Sequence, residues 1–409
     1  MTTKRDRKDT ASDCTVAGRQ YRAGWAVATA LVGLLALTGI TIARTGAQAT
    51  LAPDTQLVAH STGAALAARA RTVVPGAAGI IALRPDGKVF ATVRGTVRQW
   101  STTTGRRVGA PLAGLTGPVN SVVFSPDGRQ LAVAGREVAL WDATTGQRAG
   151  EALAGHVGPV RSVAFSPTGQ LVATAGDDGT VRLWNRETGK LIYTMNGHAG
   201  AVRLVVFSPN GARLASVGAG DDNTVRLWQT ATGQPIGEAL TVNPGPVYAM
   251  SFSPNGRLLA ASGGGKIVRL WNTATGRPAG KPLTSSSAPV YALTFSRGGK
   301  LLATSSGGEN TVQLWNVATR QAAGEALSGH TGPVRAMRFT PNGKQLATGS
   351  DDGTVRLWNA TTGAAIGAPL TGHNAPVWSV RITPDAKRLI TAGADNKARL
   401  WRVPTKPAA

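Results

Sequence analysis

The chain has 409 residues, 42% of them hydrophobic, and a formal net charge of +23. That apolar content rules out wholesale disorder. A single cysteine, Cys14, rules out an intramolecular disulfide framework and any metal site built from cysteines. The first element is a basic tail, residues 1–22, followed by a charge-free run from Ala23 to Ala43. As a helix this run spans roughly 30 Å, the thickness of a bilayer core, with Trp25 at its start where an interfacial aromatic is favoured. Lys4, Arg5, Arg7, Lys8, Arg19 and Arg22 precede it, and behind it Arg44 is the only basic residue before Arg69. The positive-inside rule then predicts one transmembrane helix over 23–43, with a cytoplasmic N-terminus and the remainder outside. A signal peptide cleaved near Ala49 is the alternative, and it would make the protein secreted. Residues 44–63 read as a stalk of small and polar residues.

From about residue 78 one pattern repeats to the end. A tryptophan closes each copy: Trp100, Trp141, Trp184, Trp228, Trp271, Trp315, Trp358 and Trp401, 41 to 44 residues apart. Within a copy, VRSVAFS has strand spacing and SPTG is a turn in which Pro fixes φ and Gly supplies positive φ. A second strand, QLVATAG, a DDG turn and a third strand, TVRLWN, follow. A Thr-Gly turn then leads to a weaker outer strand. Four short antiparallel strands cannot bury both faces alone, but radial stacking of eight such sheets covers them all. After Trp401 too little chain remains for an outer strand, so residues 64–74 are expected to supply it and close the ring over 64–402. Residues 403–409 read as a flexible tail. Seven blades are the alternative if the degenerate copy at Trp100 does not pack.

These copies resemble the WD-repeat (WD40) propeller family, whose blades carry Gly-His near the start and Trp-Asp near the end. The likeness is to propellers of a bacterial, membrane-anchored type. Trp-Asp survives only at Trp141-Asp142; most copies have Trp-Asn, which can still accept hydrogen bonds in a turn. The resemblance implies an all-β, eight-bladed fold. It also implies four structural tetrads in which a carboxylate orients an imidazole, the imidazole bonds a hydroxyl, and the hydroxyl accepts from an indole. These are Asp178–His156–Thr174–Trp184, Asp222–His198–Ser216–Trp228, Asp352–His330–Thr348–Trp358 and Asp395–His373–Thr391–Trp401. Satisfying buried polar groups is their role, and neither metal binding nor catalysis is expected of them. The other four blades lack the His and the turn Asp and are expected to rest on apolar packing.

A candidate site lies where each inner strand begins. Val160 is out of phase with Val163 and Phe165, which predicts a β-bulge that re-aims the next residue at the rim. That residue is Asn120, Arg161, Arg203, Tyr248, Tyr291, Arg335 or Trp378 in successive blades. In the family this position shares the top rim with the residue before the turn Asp, here Asp177, Asp221 and Asp351. Arg, Tyr and Trp are enriched in binding hot spots, so the ring is expected to dock a protein or peptide, its three arginines pairing with carboxylates or phosphates. The periodic Arg182, Arg226, Arg269, Arg356 and Arg399 read instead as edge packing and solvation.

No G-x-x-x-x-G-K-[ST], H-E-x-x-H or G-x-S-x-G motif occurs. The expectation is a non-catalytic, membrane-anchored interaction scaffold with no cofactor, metal or small-molecule substrate. Residues 76–409 still carry a net charge of +18. A receptor for an anionic cell-envelope polymer or lipid head group is therefore a second reading, and an envelope hydrolase of propeller type a third. A propeller outside the cell makes nucleic acid an unlikely partner.

Overall fold

A four-residue turn sets the register of every copy; four copies read Ser-Pro-x-Gly, and Arg84-Pro-Asp-Gly87, Ser296-Arg-Gly-Gly299, Thr340-Pro-Asn-Gly343 and Thr383-Pro-Asp-Ala386 are variants of it. In Ser125-Pro-Asp-Gly128 the Ser125 Oγ accepts from Gln130 N at 2.9 Å and the Asp127 carboxylate accepts from Arg129 N at 3.0 Å. Gly128 turns the chain at φ 70°, a value that costs a side-chain-free residue little. The residue after the closing Trp ends the third strand in the same way. Asp142 accepts from Thr144 N and Thr145 N, and Asn185 from Glu187 N and Thr188 N. Asparagine thus does the turn work of aspartate, as expected.

The computed structural model describes residues 72–75 and 81–403, apart from 113, 116, 243, 244 and 285–288. The basic tail, the apolar run of 23–43, the stalk and residues 404–409 lie outside the described residues. Among those described, no helix is long and apolar enough to cross a membrane.

The described chain forms eight antiparallel sheets. Their inner strands are Ile81–Leu83, Ser121–Phe124, Val160–Phe165, Val202–Phe207, Val247–Phe252, Leu293–Phe295, Val334–Phe339 and Val377–Ile382, which number the blades 1 to 8. Five sheets have four strands and three have three. In the three-stranded sheets of blades 2, 6 and 7, paired isolated bridges, such as Val355↔Leu370 and Trp358↔Ala365, stand in for the outer strand. The copy at Trp100 packs as a full blade, so the count is eight.

Closure comes from the segment ahead of blade 1. Strand Thr72–Pro75 pairs antiparallel with Lys397–Arg402, with Thr72 opposite Leu400 and Pro75 opposite Lys397. It becomes the fourth strand of blade 8. The core has no single centre; it is a series of apolar clusters, each spanning neighbouring blades. One holds Val74, Ile390 and Leu400 of blade 8 against Ile81, Phe90 and Trp100 of blade 1, which joins the ends of the ring.

Candidate functional site

Five inner strands carry the bulge at their start. In blade 3, Val160 faces Gly176 and Ser162 faces Ala175, so Arg161 has no partner in the ladder. The same skip falls on Arg203, Tyr248, Arg335 and Trp378. A residue freed from the pleat leans off the sheet, and all five are half-buried at one end of the ring. Blades 2 and 6 reach the same position without a bulge, because Asn120 and Tyr291 lie just ahead of their shorter inner strands.

Five of the seven rim residues fall into two kinds of arrangement with the residue 16 positions on; Asn120 and Arg203 follow neither. Where the rim residue is Arg161 or Arg335, that position is Asp177 or Asp351. The Arg161 Nε donates to Asp177 at 2.6 Å and its NH2 group donates to the second carboxylate oxygen, a fork-to-fork pair. Arg335 donates twice to Asp351, at 2.9 and 2.7 Å. Hydrogen bonding to Asp177 lifts the Arg161 pKa above its ordinary value, against the opposing pull of burial. Where the rim residue is aromatic, the partner position is Gly264, Gly307 or Ala394. The Tyr291 ring needs that space: a Cβ at Gly307 would stand 2.4 Å from its Cε2.

The two kinds meet at blades 5 to 7. Tyr248 and Tyr291 are tilted against each other with centroids 5.2 Å apart. The Arg335 guanidinium lies 3.9 Å over the Tyr291 ring, in cation–π range. Trp378 packs against the cluster shared by blades 1 and 2.

Several expectations change here. Arg161 and Arg335 already hold carboxylates of this chain, so they do not present three free arginines together with Arg203. Arg203 has no carboxylate partner among the described residues. Burial draws its pKa down to about 10, partly offset by Tyr248. Two extra residues in its turn carry Asp221 out of reach, and Asp221 is exposed. Asn120 is buried and its amide donates to the Val160 carbonyl at 2.9 Å, bracing blade 2 on blade 3.

All four tetrads form. His156 meets Asp178 at 3.0 Å and Thr174 at 2.7 Å, and Trp184 donates to Thr174 at 2.9 Å. His198 contacts Asp222 and meets Ser216 at 2.7 Å, with Trp228 donating to Ser216 at 2.8 Å. His330–Asp352 and His330–Thr348 measure 2.8 and 2.7 Å, and His373–Asp395 and His373–Thr391 measure 3.0 and 2.8 Å. Trp358 and Trp401 close the last two at 2.9 Å. In blade 3 glycine leaves room for the imidazole, since a Cβ at Gly176 would lie 2.5 Å from His156 Nδ1; blade 7 carries Ser350 at the same position.

Two features extend the tetrads beyond the sequence reading. Blades 1 and 6 keep the hydroxyl–indole half, with Trp100 donating to Thr92 at 2.9 Å and Trp315 to Thr304 at 2.8 Å. They do not rest on apolar packing alone. Two of the five arginines read as solvated edges turn toward the turn carboxylates, while Arg269 donates to the Val242 carbonyl at 3.0 Å. Arg399, 5% exposed, donates to Asp395 at 2.6 Å, and Arg182 stands 3.8 Å from Asp178. Thr180 and Thr354 hydroxyls also donate to Asp178 and Asp352. The i, i+4 spacing of Asp395 and Arg399 across the turn was the available signal.

Comparison with known proteins agrees with this geometry. The model of the IFT122 first beta-propeller matches residues 118–323, half of the chain. The model of the WD domain, G-beta repeat, matches residues 324–359 and 366–402. Among solved structures, the crystal structure of the computationally designed Ika8 protein is similar. It is 22% identical, covers 82% of this chain and 99% of that chain, and has a TM-score of 0.70, a likeness of fold. No curated protein matches. Propellers of this kind typically serve as protein-interaction scaffolds. With eight closed sheets, four His-centred tetrads and these matches, the chain belongs to the WD-repeat β-propeller family.

Proposed function

We propose that this protein is a non-catalytic, membrane-anchored scaffold whose bulged rim docks a peptide or protein segment. The observation that carries the reading is the stack of Tyr248, Tyr291 and Arg335, half-buried, with Arg335 held by Asp351. Flat aromatic surface fixed by neighbours binds at small entropic cost. Beside it Arg203 supplies a cation with no carboxylate partner among the described residues. The segment that fits carries one acidic side chain for Arg203 and a flat apolar residue for the tyrosines. Support for the anchor is the charge-free run of 23–43 with basic residues ahead of it; the same charges favour a propeller outside the cell.

The test is selection from a displayed random-peptide library on the full chain and on a Tyr248→Ala, Tyr291→Ala, Trp378→Ala variant with an unchanged melting midpoint. The wild type should enrich peptides with an acidic residue near an aromatic or aliphatic one, and the variant should lose them. Recovery of the same peptides on both would remove the rim as the site. Capture should weaken only modestly at high salt, since the Arg203 ion pair is screened but the aromatic contacts are not. Binding that collapses with ionic strength points instead to an anionic polymer held by the overall charge.

A further inference from the structure

At the end of the ring made by the Ser-Pro turns, opposite the bulged rim, the central channel opens into a cavity of about 710 Å³. The residue that ends each inner strand forms its collar. It is phenylalanine in six blades, from Phe124 to Phe339, with Leu83 and Ile382 in the other two. No Asp or Glu lines the cavity, whereas four arginines do: Arg84, Arg297, Arg338 and Arg381.

Two of the four are accounted for. Arg84 is paired with Asp86 at 2.9 Å, and Arg297 donates to the Pro341 carbonyl at 3.3 Å. The other two are neighbours on blades 7 and 8, one residue before the collar. Among the described residues Arg338 makes no hydrogen bond or ion pair, and Arg381 donates only to the Val380 carbonyl, at 3.0 Å. At the same position the other six blades carry Ala82, Val123, Ala164, Val206, Ser251 and Thr294. A small side chain therefore suffices there for packing. Burial lowers both guanidinium pKa values, that of Arg381 to about 10 with help from the like charge of Arg338. Two unpaired like charges facing one apolar space are costly to fold, and an oxyanion between them would relieve that cost.

We propose that this end of the channel binds a small organic anion, its carboxylate or phosphate head held by Arg338 and Arg381 and its apolar body lying against the phenylalanine collar. The forked guanidinium suits planar or tetrahedral oxyanions. The collar distinguishes the site from a simple trap for inorganic ions.

Equilibrium dialysis of the full chain with 1-naphthyl phosphate and 2-naphthoate tests this, with inorganic phosphate and neutral 2-naphthalenemethanol as controls. One equivalent of either naphthyl anion should bind, more weakly as salt rises, and the tighter of the two identifies the head group. Both controls should bind at least about tenfold more weakly, because each lacks one half of the recognition. An Arg338→Met, Arg381→Met variant should lose about tenfold or more in affinity while melting no lower than the wild type. The rim variant Tyr248→Ala, Tyr291→Ala, Trp378→Ala should bind the anions unchanged, so failure of the rim reading leaves this one standing. The proposal is overturned if inorganic phosphate binds as tightly as naphthyl phosphate, if the double methionine variant binds like wild type, or if neither anion binds. Should the methionine variant not fold, naphthyl anion binding to the wild type that ignores ionic strength overturns it equally.

Discussion

Each tetrad turns on a carboxylate that would be expensive to bury alone. Burial is the largest influence on Asp352 and pushes its pKa up, but hydrogen bonds from His330, Thr354 and the backbone overcome it and hold the carboxyl well below the usual range. Asp178 and Asp395 are lowered in the same way. Asp352→Ala leaves His330 and two backbone donors without a partner and should destabilise the fold by ~1–3 kcal/mol; a thermal melt indistinguishable from wild type would contradict the tetrad's role. The histidines bring a pH dependence. Burial, reinforced by Arg182, Arg226 and Arg399 and opposed by the tetrad carboxylates, depresses His156, His198 and His373. A depressed folded pKa means the native state binds fewer protons than the unfolded chain, so stability is complete above the unfolded value and falls as pH falls. Melting midpoints should decline below about pH 6.5 as these histidines protonate, then again below about pH 4 with the aspartates. A His156→Gln, His198→Gln, His373→Gln variant should lose the first step, and a wild-type midpoint flat across it would contradict the account. These residues were legible because His, hydroxyl, Asp and Trp recur at repeat intervals and match the tetrad that the family resemblance implies. Arg399 was not: strand alternation puts it outside, and only the fold shows that outside means the buried turn carboxylate. Asp221 misled for the opposite reason, since adjacency to the tetrad Asp marks a rim position only when the turn has its usual length.

Among the elements, the inner strands carry both proposed sites, and the sequence exposed one of the two. The phase slip between Val160 and Val163 revealed the bulge, because a period of two cannot absorb an extra residue silently. The channel end of the same strands stayed hidden. Arg338 and Arg381 look like ordinary polar members of an alternating strand, and only radial assembly brings the two into one space. The closing strand Thr72–Pro75 has the longest-range dependence of any element described, since its partner is Lys397–Arg402. Val74, 1% exposed, packs between the first and last blades. Val74→Asp buries an unpaired charge at that seam and should cost on the order of 3 kcal/mol or more. It should also promote self-association by exposing the edge of Lys397–Arg402. Urea unfolding together with light scattering measures both, and an unchanged midpoint in a monodisperse sample would show that the strand does not hold the ring.

For the whole molecule, the eightfold repetition that made the fold readable also explains why its sites are asymmetric. Among the described residues seven clusters of core residues bind neighbouring blades, and Arg161, Arg203, Arg335, Arg338 and Arg381 belong to none of them. Those positions are therefore free to differ from copy to copy, and a unique surface arises where unlike residues fall side by side. Pairing of the first described strand with the last repeat carries a further consequence, for assembly. Pairs such as Thr72↔Leu400 and Pro75↔Lys397 join the two extremes of the propeller sequence. As the chain emerges during synthesis, each earlier sheet stacks on its predecessor almost at once, whereas the opening strand waits until every later repeat has been made. Docking it is thus a terminal, loop-closure-limited event. Until then the incomplete disc presents two bare flanks, which makes the interval before completion the period of greatest aggregation hazard for this protein.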